Sequence, residues 1–146
     1  MFKYEKLGDG LVYYRNIIED PYKIIEDIES LNDRVVKDIA DGVKDAEHGV
    51  AKPWHNWDHA HGDMTLHFCK QRWLPRSADM RKEAMYYEEY SSISDRLFNG
   101  LDSSYAHYSK EVYPYAARSI KGTEDNMSIL KYETAGYLPA HTDHGS

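Results

Sequence analysis

Residues 129–143, which read ILKYETAGYLPAHTD, decide the fold class that we expect for this chain of 146 residues. Residues 127–133 predict a β-strand, with Met127 and Ile129 on one face and Ser128 on the other. A glycine-containing turn follows, and then the pair His141 and Asp143. Side chains two positions apart in an extended segment share a face, so this pair can bind one ion together.

The chemistry of this pair indicates an iron site. An imidazole nitrogen and a carboxylate oxygen are two of the three ligands in the facial triad that holds non-haem Fe(II). A His-x-Asp tripeptide alone is weak evidence, because it is short and occurs by chance. Its position after a strand and a turn makes His141 and Asp143 the candidate metal-binding and catalytic residues.

The N-terminal part of the chain predicts a strand and a helix. Residues 11–14 are apolar and aromatic and follow a Gly-Asp-Gly turn, which is typical of a strand. Asp20 is a suitable N-cap and Pro21 fits the first helical position. Apolar residues then recur at spacings of three and four, which predicts one buried helical stripe of Ile24, Ile28, Leu31 and Val35.

The middle of the chain predicts a loop region and two helices. Residues 38–73 show no sustained period, so we expect a long loop with one short strand near residues 64–68. Ser77 is the expected N-cap of a helix that Asn99 and Gly100 end. A second helix is expected over residues 101–113, and a turn over residues 122–125.

The C-terminal stretch resembles the Fe(II)- and 2-oxoglutarate-dependent dioxygenases, specifically their prolyl 4-hydroxylase-like branch. That branch has leucine, a basic or polar residue, tyrosine, a glycine-containing turn, proline and then His-x-Asp. Pro139 stands one residue earlier than the family often has it. The matching residues are Leu130, Lys131, Tyr132, Gly136, His141 and Asp143.

The resemblance implies a fold and a function. The fold is α+β, with N-terminal helices packed on the first strands of a double-stranded β-helix, a jelly-roll core that is incomplete in this chain. The implied activity is hydroxylation of a C–H bond, for which peptidyl proline or a small molecule is the substrate. Fe(II), 2-oxoglutarate and ascorbate are the implied cofactors. His141 and Asp143 would bind the iron, and Tyr132 would hydrogen-bond the 2-oxoglutarate carboxylate.

The family also has a distal histidine ligand and an Arg or Lys that pairs with the far carboxylate of 2-oxoglutarate. We expect both beyond Ser146, so residues 1–146 are expected to be the N-terminal portion of one oxygenase domain. Such a fragment should have little activity alone and should self-associate through exposed sheet edges.

Three other functions stay open. Residues 54–63, which read WHNWDHAHGD, could form a zinc site or line a substrate groove, although the spacing fits no strong metal signature. A metallohydrolase of the metallo-β-lactamase type is disfavoured, because Pro139 stands where its His-x-His-x-Asp-His motif begins. In the third alternative the chain is a non-catalytic binding or structural module.

Composition excludes several classes of protein. The net charge of −7 argues against sequence-independent nucleic-acid binding, which needs a basic surface. A single cysteine, Cys69, excludes an internal disulfide and suits a reducing compartment. We find no signal peptide and no apolar run long enough for a membrane helix, so we expect a cytoplasmic protein without membrane partners.

Overall fold

The computed structural model describes residues 2–56, 69–114 and 126–132. Within these residues the chain forms two long α-helices and two small antiparallel sheets, which confirms the prediction of a mixed α/β protein. The jelly-roll core remains a prediction. Within the described residues, no helix combines the length and the apolar character that a bilayer crossing requires.

The two sheets differ in size and position along the chain. A hairpin at the N-terminus pairs β1 with β2, and a three-stranded sheet has the order β3-β4-β5. Short 3-10 turns lie at Ala46–His48 and Ser77–Asp79, and a π-helical turn at Tyr108–Val112 extends the second helix. The main elements are β1 (Lys3–Gly8), β2 (Leu11–Arg15), α1 (Pro21–Ala40), β3 (His55–Asn56), β4 (Cys69–Pro75), α2 (Tyr87–His107) and β5 (Asn126–Tyr132).

Helix α1 forms as its sequence predicts. The side chain of Asp20 accepts a hydrogen bond from the backbone N–H of Lys23 at 3.2 Å, and Pro21 occupies the first turn. The predicted stripe is buried, and each of these aliphatic side chains contributes about 1.5–3 kcal/mol by leaving water. The stripe comprises Ile24, Ile28, Leu31 and Val35.

The three-stranded sheet packs one face against both helices. Arg72 and Leu74 of β4 are fully buried, and their partners Ile129 and Met127 of β5 lie on the same face. Tyr90 of α2 closes the other side of this layer and donates a hydrogen bond from its hydroxyl to the Trp73 carbonyl. The core is therefore one layer of side chains between the helices and the sheet.

The predicted start of α2 is wrong. Ser77 begins only a 3-10 turn, and its hydroxyl contacts the Asp95 carboxylate instead of capping a long helix. The helix starts after Tyr86, which has a left-handed φ of 67°. The Tyr86 hydroxyl donates to Asp38 at 3.0 Å, and its ring lies so close to Gly49 that a Cβ there would be 2.8 Å from it. Tertiary contacts thus set this boundary.

The predicted helix break at Asn99 and Gly100 is also wrong, because α2 continues to His107. A Cβ added at Gly100 would overlap the backbone carbonyl oxygen of Ile17. The glycine therefore permits close approach of the β2–α1 connection to α2, and it does not end the helix.

The predicted loop over residues 38–73 is wrong at both ends. Helix α1 runs to Ala40, and residues from 69 onward form β4. The sequence of β4 hides its strand character, because the charged Arg72 is buried among its residues. Strand β1 also escaped prediction, since all six of its residues are exposed. Strand β5 confirms the prediction over residues 127–132, whereas residues 64–68 and 122–125 lie outside the described residues.

Gly100→Ala tests the close approach of α2 to the β2–α1 connection. Helix propensity alone would stabilise the variant by about 1 kcal/mol. Overlap of the new Cβ with the Ile17 carbonyl costs more than this gain. We therefore expect the free energy of unfolding to fall by about 1–2 kcal/mol. Urea unfolding followed by circular dichroism measures it. The control Ser92→Ala, on an exposed position of α2, should stay within about 0.5 kcal/mol of the parent chain. A stabilised Gly100→Ala variant would contradict the packing.

Candidate functional site

The three-stranded sheet has two chemically different faces. We call the face that packs on α1 and α2 the helix face, and the opposite one the open face. Strand alternation and the pairing register place six described side chains on the open face besides that of Pro75, the last residue of β4. Several of them are well exposed, including Trp73 at 57% and Tyr132 at 45%. The open face comprises His55, Gln71, Trp73, Ser128, Leu130 and Tyr132.

Tyr132 is the one predicted site residue that the structure describes. It is the last residue of β5 and pairs with Cys69 of β4. Strand alternation directs its side chain away from the helices, and the residue is 45% exposed on the open face. His141 and Asp143 lie outside the described residues, and the structure therefore gives no geometry for the predicted metal ligands.

A polar pair lies beside the exposed aromatic rings. The side-chain amide of Gln71 donates a hydrogen bond to the Ser128 hydroxyl at 2.9 Å, across the β4–β5 pairing. His55 of β3 is paired with Gln71 and is exposed. Gln71 itself is buried, at 7% exposure, so the polar groups that remain accessible are His55 and Ser128. An exposed indole, a phenol and these two groups can pack on an apolar ligand and hydrogen-bond its polar atoms.

The histidine- and aspartate-rich stretch is described only at its beginning. Trp54 lies on the helix face and His55 on the open face, so these two adjacent residues belong to opposite faces of the sheet. The remaining residues of the stretch, 57–63, lie outside the described residues. In the described part of the chain, no group of three or more His, Cys, Asp or Glu side chains is placed to hold a metal. A zinc site in this stretch stays a prediction.

A cleft of about 980 Å³ lies between α2 and the connection from β2 to α1. No local sequence pattern predicts this cleft, because its lining residues come from distant segments. Arg96 on its wall donates to the Asp27 carboxylate at 2.6 Å, which also accepts from the Lys23 ammonium at 2.5 Å. The wall includes Asn16, Ile17, Asp20, Arg96, Gly100 and Ser103.

Comparison with known proteins identifies no relative. The chain matches no family model, and no curated protein or solved structure is significantly similar to it. The functional argument therefore depends on the residues and their placement. The feature that bears on the predicted chemistry is the open face, which carries Tyr132.

Asp27→Asn tests the ion pair that holds Arg96 at the cleft. The Lys23 ammonium and the Arg96 guanidinium hold the pKa of Asp27 below its ordinary value of 3.8. A lowered carboxyl pKa stabilises the fold above the unfolded-state pKa, and this contribution disappears as the pH falls through the folded-state pKa. We therefore expect the variant to be less stable than the parent at pH 7 and to approach it near pH 2.

Urea unfolding at both pH values measures this difference. The control Asp33→Asn replaces an exposed carboxylate on the same helix. Its difference from the parent in the free energy of unfolding should not shrink in acid as that of Asp27→Asn does. An Asp27→Asn deficit that persists unchanged in acid would contradict the electrostatic role of Asp27.

Proposed function

We propose that this chain belongs to an Fe(II)- and 2-oxoglutarate-dependent oxygenase of the prolyl 4-hydroxylase-like type, which hydroxylates a C–H bond of a peptide or small molecule. One observation carries the proposal. The strand that leads to the His-x-Asp motif ends at Tyr132 on the sheet face opposite the helices. A ligand site on that face would be backed by a rigid sheet whose other side is packed on α1 and α2.

Tyr132 has the chemistry that its proposed role requires. A phenol can donate a hydrogen bond to a carboxylate oxygen, and hydrogen bonds to charged groups contribute about 1.5–3 kcal/mol. Tyr132 is 45% exposed on the open face, which is consistent with contact to a dicarboxylate such as 2-oxoglutarate. Leu130, two positions before Tyr132 on the same face, supplies apolar surface for the methylene groups of that ligand, and Trp73 supplies more apolar surface further along β4.

His141 and Asp143 are the residues that would hold the iron. Binding requires a neutral imidazole and an ionised carboxylate, so metal affinity should fall in acid. When bound, iron and 2-oxoglutarate supply the oxidation of a C–H bond by oxygen, with 2-oxoglutarate converted to succinate and carbon dioxide. The chain's contribution is to orient these ligands and to shield the reacting atoms from water.

The proposal includes a fold and a location. Strands β4 and β5 would be early strands of a jelly-roll core, and α1 and α2 would back it. Ascorbate would serve as a reductant for the iron. A cytoplasmic location, inferred from the single cysteine, stays a prediction, as does self-association through exposed sheet edges.

A non-catalytic binding module is the second candidate, and the exposure of the open face favours it. Trp73 is more than half exposed, and Leu130 and Tyr132 are exposed on the same face. Exposed aromatic and apolar side chains on one face are typical of surfaces that bind partners. This candidate predicts that metal ions have no effect on the protein. The two functions therefore differ in one measurable property.

Metal titration of this chain separates the candidates. We expect Mn²⁺, a redox-inert substitute for Fe(II), to bind in the presence of 2-oxoglutarate, as measured by calorimetry. His141→Ala and Asp143→Ala each remove a direct ligand. Loss of a residue that only hydrogen-bonds a metal ligand lowers metal affinity roughly 10- to 100-fold. The affinity of these two variants for Mn²⁺ should fall by more than that.

His144→Ala is the matched control, since this neighbouring histidine has no proposed role, and it should bind Mn²⁺ as the parent does. His59→Ala tests the histidine-rich stretch in the same way. Equal binding by the parent, His141→Ala and Asp143→Ala would refute the iron site. Loss of binding in His59→Ala alone would favour the zinc alternative, and no binding by any chain would favour the binding module.

A further inference from the structure

Arg72 is a fully buried cation in the layer between the sheet and the helices. It lies in β4 opposite Ile129, and none of its surface is exposed. Strand alternation directs its side chain to the helix face, the side away from Tyr132. A charge in such a position is costly unless it is paired and fully hydrogen-bonded.

One end of the Arg72 guanidinium is bound by neutral groups. Its Nη2 donates to the Lys52 backbone carbonyl at 2.5 Å and lies 3.5 Å from the Asn32 side-chain oxygen, which also accepts from the Trp54 backbone N–H at 3.0 Å. The guanidinium carbon lies 5.2 Å from the Trp54 ring centroid and 5.9 Å from that of Tyr90. Aromatic rings stabilise a cation, but they accept no in-plane N–H bonds.

Three buried nitrogens in this layer have no hydrogen-bond partner among the described residues. They are Nε and Nη1 of Arg72 and Nε1 of Trp54. All three carry hydrogen and can only donate. Each unsatisfied buried donor costs about 1–3 kcal/mol, and more where the group is charged. The surroundings of Arg72 and Trp54 therefore lack hydrogen-bond acceptors among the described residues.

The described residues near Arg72 do not neutralise its charge. The Glu29 carboxylate faces it but is 2.8 Å from the Lys131 ammonium, so two cations share one carboxylate. Tyr90 is no counter-ion, since burial raises the pKa of Tyr90 to about 12 and the phenol is neutral at pH 7. Among the residues that the structure describes, no carboxylate forms an ion pair with the buried Arg72 guanidinium.

We propose that Arg72 and Trp54 form a binding site for one small monovalent anion, either a halide or a small carboxylate. The unpartnered donors supply N–H groups from which such an anion accepts hydrogen bonds, and the single positive charge of Arg72 matches one negative charge. Full burial excludes a bulky ligand. The site is on the helix face, so it is separate from the iron and 2-oxoglutarate site proposed for the open face and does not depend on it.

Anion-specific stabilisation of the whole chain tests this site. The melting temperature is measured at constant ionic strength while sodium gluconate, whose anion is bulky, is replaced by sodium chloride or sodium formate. We expect the melting temperature to rise with the concentration of the small anion, as binding to the folded state requires. A rise with both salts identifies a site for any compact anion, and a rise with formate alone identifies a carboxylate site.

Three variants locate the effect. Arg72→Met removes the charge but keeps the apolar side-chain volume, so the response to small anions should vanish. Trp54→Phe keeps the ring and removes the N–H donor, and the apparent affinity should fall roughly tenfold. Arg81→Met is the control for loss of one surface charge, since the Arg81 side chain is 82% exposed, and it should respond as the parent does.

The outcomes that overturn the site are equally definite. Equal melting temperatures in gluconate, chloride and formate would overturn it, as would an unchanged response in Arg72→Met. If Arg72→Met does not fold, Trp54→Phe decides: an unchanged response of its melting temperature to the small anion that stabilises the parent overturns the site. His141→Ala must retain the parent's response, because loss there would place the anion at the proposed iron site instead.

Discussion

The packing of one sheet face against α1 and α2 is the constraint on which the rest of the structure depends. Leu74 and Arg72 of β4 point into this layer, and the stripe of α1 and Tyr90 of α2 cover them. Burial of these apolar side chains supplies most of the stabilisation available to a sheet of three strands, which is marginal without a packed face. Once this face is covered, strand alternation directs the remaining side chains of β4 and β5 the other way.

This division assigns different chemistry to the two faces. The open face presents the exposed rings of Trp73 and Tyr132 and the hydroxyl of Ser128, which accepts a hydrogen bond from the buried Gln71, and a ligand with both apolar and polar parts would suit these groups. The helix face instead holds a buried guanidinium whose free donors require an acceptor. A single register shift would exchange the two sets of side chains, so both proposed sites depend on the same β4–β5 pairing.

The sequence predicted those elements whose signals are local. The stripe of α1 repeats every three to four residues, and β5 alternates, so both were predicted correctly. The start of α2 depends on contacts of Tyr86 with the distant residues Gly49 and Asp38. Gly100 is required because the backbone carbonyl of Ile17 lies where a Cβ would be. No local pattern encodes such contacts. Arg72 also resembles a surface residue in sequence, and of the predicted site residues only Tyr132 could be placed, on the open face.

The central claim is that the metal site lies on the open face, near the end of β5. The most direct test is NMR of the chain with Mn²⁺ and 2-oxoglutarate bound, because the paramagnetic ion broadens nearby signals. Two indole N–H signals serve as reporters: Trp73 on the open face and Trp54 on the helix face. The account predicts stronger broadening at Trp73 and at the Tyr132 amide than at Trp54. Stronger broadening at Trp54, or none at either indole, would contradict it.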